Sequence, residues 1–192
     1  RIERISTALV ELSEHARRLE RYARRDREPR RLDPRELTAE VVEAHRETVP
    51  NVSIDVDVRT ERAICAGTEL REGLSELVEN AIEHNPTAEP QVRISVVDDG
   101  ELIEVVVADD GPGITEMEAD VVSTGRETPL EHGSGLGLWL VNWIVTRYGG
   151  SFQIDADGPD GNGGTTATVR LPALGPDDAV ADAERGPTLL FF

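Results

Sequence analysis

Residues 76–85 read ELVENAIEHN, and two glycine-rich segments follow them, DDGPGI at 109–114 and GSGLGL at 133–138. The first segment repeats its apolar residues at helical spacing, which predicts a helix with Glu76 and Asn80 on one face. Glycine-rich turns beside a helix bring free backbone N–H groups and a helix N-terminus toward a ligand. The three segments together predict a nucleotide site built from helix ends and closely approaching backbone.

Asp109 follows the segment 103–108, which is apolar apart from Glu104, so a carboxylate is predicted at the end of a strand, where ligands commonly bind. Gly111 and Gly113 would let the backbone approach a flat ring, and a carboxylate accepts a hydrogen bond from an exocyclic amine. The alternative for this segment alone is an ordinary turn, such as the one predicted at Asp98-Asp99-Gly100.

A buried helix face that carries Glu76 and Asn80 must satisfy both side chains, and a hydrated Mg²⁺ held by carboxylate and amide oxygens would do so. A solvated helix face is the alternative for this segment alone. In the segment 133–138, three glycines precede a predicted helix whose N-terminus can receive phosphate oxygens. A dinucleotide-binding unit is disfavoured because no strand precedes these glycines, and a Walker-type loop is excluded because the chain has no Lys.

In this order and spacing, the three segments resemble the nucleotide-binding signatures of the superfamily of gyrase-type ATPases, mismatch-repair ATPases, heat-shock chaperones and sensor histidine kinases. The resemblance is strongest to the catalytic ATP-binding domain of histidine kinases and covers about residues 50–172. It implies ATP and Mg²⁺ as ligands, with Glu76 and Asn80 as catalytic and metal-binding residues. The nucleotide-binding residues that it implies are Asn80, His84, Asp109, Gly111, Gly113, Arg126, His132, Gly133, Ser134, Gly135, Leu136, Gly137 and Thr165.

The chain departs from that family pattern at several positions. Glu83 stands where many members carry a basic residue, and His84 stands at a position that is often aromatic. Arg126 and His132 are therefore the candidates for neutralising phosphate charge, and a Phe-rich lid segment is missing between 114 and 133. Neither His15 nor His45 is followed by the acidic residue of a phosphoacceptor motif, although His45 has Pro50 five positions later, and both are interpreted as surface histidines.

The resemblance implies the catalytic portion of a sensor histidine kinase, which passes the ATP γ-phosphate to a His on a hairpin of the same or a partner chain. A response regulator would then receive the phosphate, and the isolated segment would be inactive without its acceptor. Glu76 resembles the catalytic base of the hydrolysing branches of the superfamily. Alternatives left open are a stand-alone ATPase or nucleotide-gated switch, a non-catalytic binding module, and a Ser/Thr kinase of the anti-sigma type.

The composition is strongly acidic, with 38 Asp and Glu against 20 basic residues, all of them Arg, and a net charge of -18. Nucleic acid is excluded as a partner because phosphate backbones bind to basic faces. Such a surface predicts a halophilic cytoplasm, and full stability at low salt would contradict that interpretation. No apolar run is long enough for a membrane span, so direct membrane contact by this segment is not expected. A cytoplasmic location is expected for it, and membrane attachment of the full-length protein is left open. Cys65, the sole cysteine, is expected to be a buried filler.

Hydrophobic periodicity predicts an α/β (α+β) two-layer sandwich: a mixed sheet of about five strands, covered on one face by three helices, plus an N-terminal helix. The expected regions are a helix within 1–30 that resembles the second helix of a dimerisation hairpin, an ATP-binding domain at 31–174 and a disordered acidic tail at 175–192. A homodimer through 1–30 is possible, and the charged helical start is expected to continue a longer protein. The predicted helices are 2–26, 34–48, 69–84 and 134–148, and the predicted strands are 52–58, 91–97, 102–108, 151–156 and 165–171.

Overall fold

A computed structural model of the chain describes residues 17, 20, 26–49, 51–113, 135–155 and 163–188. Within these residues the strands are β1 (Arg30–Leu32), β2 (Ser53–Val58), β3 (Ala63–Ala66), β4 (Gln91–Asp99), β5 (Leu102–Asp109), β6 (Ser151–Asp155) and β7 (Thr166–Leu174). The helices are α1 (Pro34–Thr48), α2 (Leu70–Glu83), α3 (Gly135–Arg147) and α4 (Val180–Ala183).

The seven strands of the described residues form one mixed sheet in the order β1-β3-β7-β5-β4-β2, with β6 also paired to β7. β2 and β4 are parallel, and every other pairing is antiparallel. β7 lies beside β5 on one edge, while its other edge is divided between β6 and β3. Because β5 and β7 are central, their ends place residues at the middle of the domain.

Helices α1, α2 and α3 share one hydrophobic core with the sheet. Val78 of α2, Ile144 of α3 and Val105 of β5 are all at most 1% exposed within this core. The α/β sandwich expected from the sequence is confirmed, with seven strands in place of about five. The two unpredicted strands, β1 and β3, have three and four residues, which is too short for an alternating pattern to appear.

Local signals explain where several elements begin and end. Asp33 caps α1 by accepting a hydrogen bond from the Arg35 N–H at 2.7 Å. The N-cap of α2 is Glu69, which follows Thr68 and makes no side-chain capping bond. Backbone carbonyls of the preceding turn satisfy the first N–H groups of this helix instead. The Glu69 carboxylate is left to accept from the Tyr148 hydroxyl at 2.6 Å.

The acidic C-terminal segment contains ordered structure up to residue 188, which differs from the disordered tail expected from its composition. Val180 packs against a small buried cluster that includes Cys65 and Leu174. Glu184 forms an ion pair with Arg27 at 2.7 Å. These partners are distant in sequence, so the composition of the segment alone could not indicate them.

The N-terminal region is only partly described. Of the helix predicted within 1–30, Arg17 and Glu20 are described and helical, and the rest up to residue 25 lies outside the described residues. Residues 26–29 are not helical, and β1 begins at Arg30. None of the helices among the described residues combines the length and the apolar character needed to span a bilayer.

Candidate functional site

A cleft opens between α2, the end of β5 and the first turns of α3. The exposed Pro112 of the loop after β5 lines it, together with six buried apolar residues from α2, α3 and the sheet: Leu77, Ala81, Val107, Leu138, Ile154 and Ala167. The polar lining side chains are few, namely Asn80, His84, Asp109 and Thr165. An apolar cleft with a small number of convergent polar groups is the usual form of a small-molecule site.

Asp109 lies half-buried at the end of β5, as its position after an apolar run predicts. Its Oδ1 accepts a hydrogen bond from the Gly111 N–H at 2.8 Å, and its own N–H donates to the Thr165 carbonyl at 3.0 Å. Burial raises the pKa of the Asp109 carboxyl, and hydrogen bonds from Gly111 and Thr165 only partly offset this effect. A carboxylate held in this way gains from any further donor that a ligand supplies.

Glycines make the backbone around Asp109 possible. Gly113 in the cleft wall has a φ of +79° and Gly164, just before β7, has a φ of +97°. A Cβ at Gly164 would overlap the Asp109 carbonyl oxygen, so this glycine is also needed for close approach of the two loops. The Gly164-Thr165 pair thereby brings the start of β7 against the end of β5.

Replacing Gly164 with Ala is expected to destabilise the protein by more than the roughly 1–2 kcal/mol that a left-handed conformation costs an L-residue. The added methyl group would meet the Asp109 carbonyl oxygen as well as adopt the unfavourable φ. Thermal unfolding measures the loss. Gly100→Ala is the matched control, because Gly100 has a φ of +69° but nothing within 4 Å of the added carbon. Equal destabilisation by the two substitutions would contradict the close-approach role.

The opposite wall of the cleft brings α2 and α3 together around Glu76 and Asn80. Glu76 is 7% exposed, and Asn80 is half-buried one turn further along α2. A Cβ at Gly137 of α3 would lie 2.8 Å from Glu76 Oε2 and 3.6 Å from Asn80 Nδ2. The glycine therefore allows the first turns of α3 to lie directly against this carboxylate and amide.

The donor set of this wall fits a magnesium ion. Asn80 Nδ2 is buried and has no hydrogen-bond partner within the described residues. The two ends of an amide exchange by rotation, so the same position can present an oxygen to a cation or an N–H to a phosphate oxygen. Amide and carboxylate oxygens are also the ligands that Mg²⁺ prefers. Asn80 and Glu76 are thus chemically suited to the ion that the sequence predicts.

A family model described as "Histidine kinase-, DNA gyrase B-, and HSP90-like ATPase" matches residues 66–175, which include every element of the cleft. The match covers more than half of the chain. The chain belongs to this ATPase family.

Relatives with similar sequences are histidine kinases. MprB of Mycobacterium sp. (strain KMS), a signal transduction histidine-protein kinase/phosphatase, is 31% identical over 150 residues, covering 73% of this chain and 28% of MprB. Sporulation kinase B of Bacillus subtilis (strain 168) is 27% identical over 124 residues, covering 63% of this chain and 28% of the kinase. The chain thus spans less than a third of the length of either relative.

Solved structures give the same relationship. A mycobacterial sensor histidine kinase MprB structure superposes with a TM-score of 0.63 at 26% identity, covering 78% of this chain and 99% of that one. The catalytic domain of histidine kinase ThkA, in a nucleotide-free form, superposes with a TM-score of 0.65 at 25% identity, covering 76% of this chain and 95% of that one. The fold of this ATPase-family chain is therefore that of a histidine kinase catalytic domain.

The structure brings together most of the site residues predicted for this family member. Asn80, His84, Asp109, Gly113 and Thr165 line the cleft, with His84 exposed at the C-cap of α2. The remaining described residues adjoin these: Gly111 donates to Asp109, Glu76 and Gly137 lie beside Asn80, and the backbones of Gly135 and Leu136 begin α3. Arg126, His132, Gly133 and Ser134 lie outside the described residues.

Two residues next to the cleft, Asn85 and Asp110, were not among the predicted site residues. Asn85 is 6% exposed and donates from Nδ2 to Asp110 Oδ1 at 2.6 Å. The local signal for Asn85 was its position before Pro86, where an Asn side chain commonly bonds to the backbone two residues onward. Its Oδ1 does accept from the Thr87 N–H at 3.0 Å. The partner carboxylate is 25 residues away and has no local signal.

Proposed function

We propose that this chain is the ATP- and Mg²⁺-binding catalytic portion of a sensor histidine kinase. One arrangement carries the proposal: a single apolar cleft is lined both by the half-buried Asp109 carboxylate and by Asn80, whose buried amide nitrogen lacks a partner within the described residues. Family membership over residues 66–175 supports ATP as the nucleotide.

At one end of the cleft, the chemistry suits an adenine ring. Leu77, Ala81 and Ile154 supply apolar surface that can cover the ring faces. Asp109 can accept a hydrogen bond from the exocyclic amine, which gives a reason for tolerating a carboxyl group whose pKa is raised by burial. Gly113 lets the backbone approach the ring edge without a side chain between them.

At the other end, the chemistry suits phosphates. Asn80 and Glu76 would hold Mg²⁺, which when bound neutralises charge on the phosphates. The N-terminus of α3, a helix of 13 residues, would turn the N–H groups of its first turn and the positive end of a helix dipole toward a phosphate. Phosphoryl transfer needs positioning and charge stabilisation more than covalent help, so these groups suffice for the protein's part. Arg126 and His132 remain our candidates for further phosphate neutralisation.

The phosphoacceptor would be a His on a dimerisation hairpin of the same or a partner chain, and a response regulator would be the next acceptor. Residues 1–30 would supply the second helix of such a hairpin and contribute to a homodimer. We further propose a cytoplasmic, halophilic setting for this portion, supported by the net charge of -18 and the absence of Lys. Binding and activity are therefore best measured at high and low salt in parallel.

A second candidate, slow ATP hydrolysis without a protein acceptor, is favoured by one observation. The Glu76 carboxylate is buried beside Asn80 and 2.8 Å from the Cβ position of Gly137, where α3 begins. A carboxylate at that place is able to orient a water molecule for attack on the γ-phosphate. Steady phosphate release that disappears in Glu76→Gln would support this candidate.

The kinase proposal predicts transfer of label from γ-labelled ATP to a separately supplied helical hairpin that carries a His-acid-x-x-x-Pro motif. The product should be labile in acid, as phosphohistidine is, and it should require Mg²⁺. The same hairpin with its His replaced by Gln is the control and should remain unlabelled. An acid-stable product would indicate a Ser/Thr kinase instead. Tight ATP binding without any labelling would indicate a non-catalytic nucleotide-binding module.

A further inference from the structure

A second carboxylate holds the loop that follows β5. Asp110, next to the Asp109 of the cleft, accepts two hydrogen bonds at the same Oδ1 atom. One comes from Asn85 Nδ2 at 2.6 Å and the other from the Gln91 backbone N–H at 3.1 Å. The segment after α2, the start of β4 and the loop after β5 are thereby joined at one oxygen atom.

The orientation of the Asn85 amide is determined by its other partner. The Thr87 N–H can only donate, so the amide atom facing it at 3.0 Å must be the oxygen. The NH₂ end therefore points to Asp110 and cannot be exchanged without losing both bonds. Asn85 is also 6% exposed, and its own N–H donates to the Ile82 carbonyl at 3.2 Å. A buried side chain with both ends bonded is a rigid support for its neighbours.

The loop rests directly on this support. A Cβ at Gly111 would lie 3.6 Å from both Cα and Cβ of Asn85. Gly111 is also the residue whose N–H donates to Asp109 Oδ1 at 2.8 Å. A short chain of contacts thus runs from Asn85 through Asp110 and Gly111 to the Asp109 carboxylate.

We propose that Asn85 is a positioning residue of the nucleotide site, which sets the direction of the Asp109 carboxylate by holding Asp110 and packing against Gly111. The proposal rests on the proposed function, because the purpose of this positioning is recognition of the nucleotide base by Asp109. Asn85 lies outside the lining of the cleft and acts on the ligand only through the loop.

Asn85→Asp tests the proposal with little change in size. The new carboxylate still accepts from the Thr87 N–H, but it faces the Asp110 carboxylate and repels it. We expect the Kd for Mg-ATP, measured well below the melting temperature of the variant, to rise about tenfold or more. Asp110→Asn retains an oxygen for both donors, so its Kd should remain within about threefold of the unmodified chain.

The double variant Asn85→Asp with Asp110→Asn removes the repulsion between two carboxylates and lets the side chain at position 110 donate to the one at position 85. Because the Gln91 N–H then loses its acceptor, the double variant should recover only part of the affinity. A residue with only a structural role would not give this recovery. Should Asn85→Asp prevent folding, Asp110→Ala removes the same bond from an exposed residue and should weaken ATP binding similarly. The proposal is overturned if Asn85→Asp and Asp110→Ala bind ATP normally, or if the double variant is no better than Asn85→Asp.

Amide hydrogen exchange at Gly111 in nucleotide-free protein separates this proposal from the proposed function. The Gly111 N–H should exchange slowly in the unmodified chain, faster in Asn85→Asp and slowly again in the double variant. If exchange follows this pattern but the unmodified chain binds no ATP, positioning of the loop stands and the kinase assignment fails. If the unmodified chain binds ATP but the exchange rate at Gly111 is the same in Asn85→Asp, the positioning role is refuted and the kinase assignment stands.

Discussion

Replacing Asp109 with Asn is expected to weaken ATP binding by roughly 10- to 100-fold, the range for losing a hydrogen bond to a charged group. The Asn side chain retains an oxygen that can accept from the Gly111 N–H. Its other end becomes an NH₂ donor, which would face the donor amine of the adenine ring. Titration calorimetry with Mg-ATP at high salt measures the change.

Asp99→Asn is the matched control for this substitution. The chain contains the string Asp-Asp-Gly twice, and Asp99 lies in the first copy, at the exposed turn between β4 and β5. The Asp99→Asn substitution removes the same charge as Asp109→Asn and should leave ATP affinity unchanged. Undiminished ATP binding by Asp109→Asn would refute the adenine-reading role of this residue and with it the assignment of the cleft.

The pKa of Asp109 adds a second measurement to the same experiment. Because burial raises this pKa above the ordinary value of 3.8, ATP affinity should fall as the pH drops through the raised value, and Asp109→Asn should lack that dependence. The raised pKa of Asp109 also affects folding. Its contribution to the free energy of unfolding is fully present below pH 3.8, the ordinary pKa, and is lost as the pH rises through the raised pKa of the folded state. At neutral pH the nucleotide-free Asn variant should therefore melt no lower than the unmodified chain, so lost binding cannot be ascribed to unfolding.

Replacing Asn80 with Ala is expected to abolish the dependence of ATP affinity on Mg²⁺. The unmodified chain should bind ATP about tenfold or more tightly with Mg²⁺ than with a chelator, and the two affinities should converge in the variant. The physical reason is that, among the polar lining groups of the described residues, the half-buried Asn80 amide is the one placed beside Glu76, and Ala provides no oxygen ligand there.

Glu79→Ala is the control for Asn80→Ala, because Glu79 is exposed on the same helix and the change in helix propensity is similar. This control should keep the Mg²⁺ dependence. Binding of adenosine, which has no phosphates, should be unaffected by Asn80→Ala because Asp109 and the apolar wall are unchanged. If ATP affinity still depended on Mg²⁺ in Asn80→Ala, Asn80 would not be a ligand of the metal.

The long elements and the site motifs could be predicted because their signals are local. Apolar residues at helical spacing predicted α1, α2 and α3, and the Asp98-Asp99-Gly100 turn predicted the hairpin of β4 and β5. The Gly149-Gly150 end of α3 was also predicted, and Gly149 has a φ of +73° there. Each of these signals depends on residues within one or two turns of chain.

The short strands and the C-terminal segment could not be predicted because their order comes from distant partners. β1 pairs with β3, and β3 pairs with the end of β7, more than 100 residues further along the chain. The Arg31 guanidinium donates to the carbonyls of Gly175 and Asp178, at 2.8 and 2.6 Å. Neither three-residue strand β1 nor an acidic segment carries enough local preference to specify these contacts.

The sequence by itself determined which groups the site would use: a carboxylate after an apolar strand, an amide and a carboxylate on one helix face, and glycines before a helix. Residue chemistry and spacing are properties of the chain, so they can be recognised without coordinates. Only the tertiary structure decided how these groups meet. It places Gly137 against Glu76, Gly164 against the Asp109 carbonyl, and Asn85 against Asp110. Such contacts arise from the packing of α2, α3 and the sheet around one core, and no local preference encodes them.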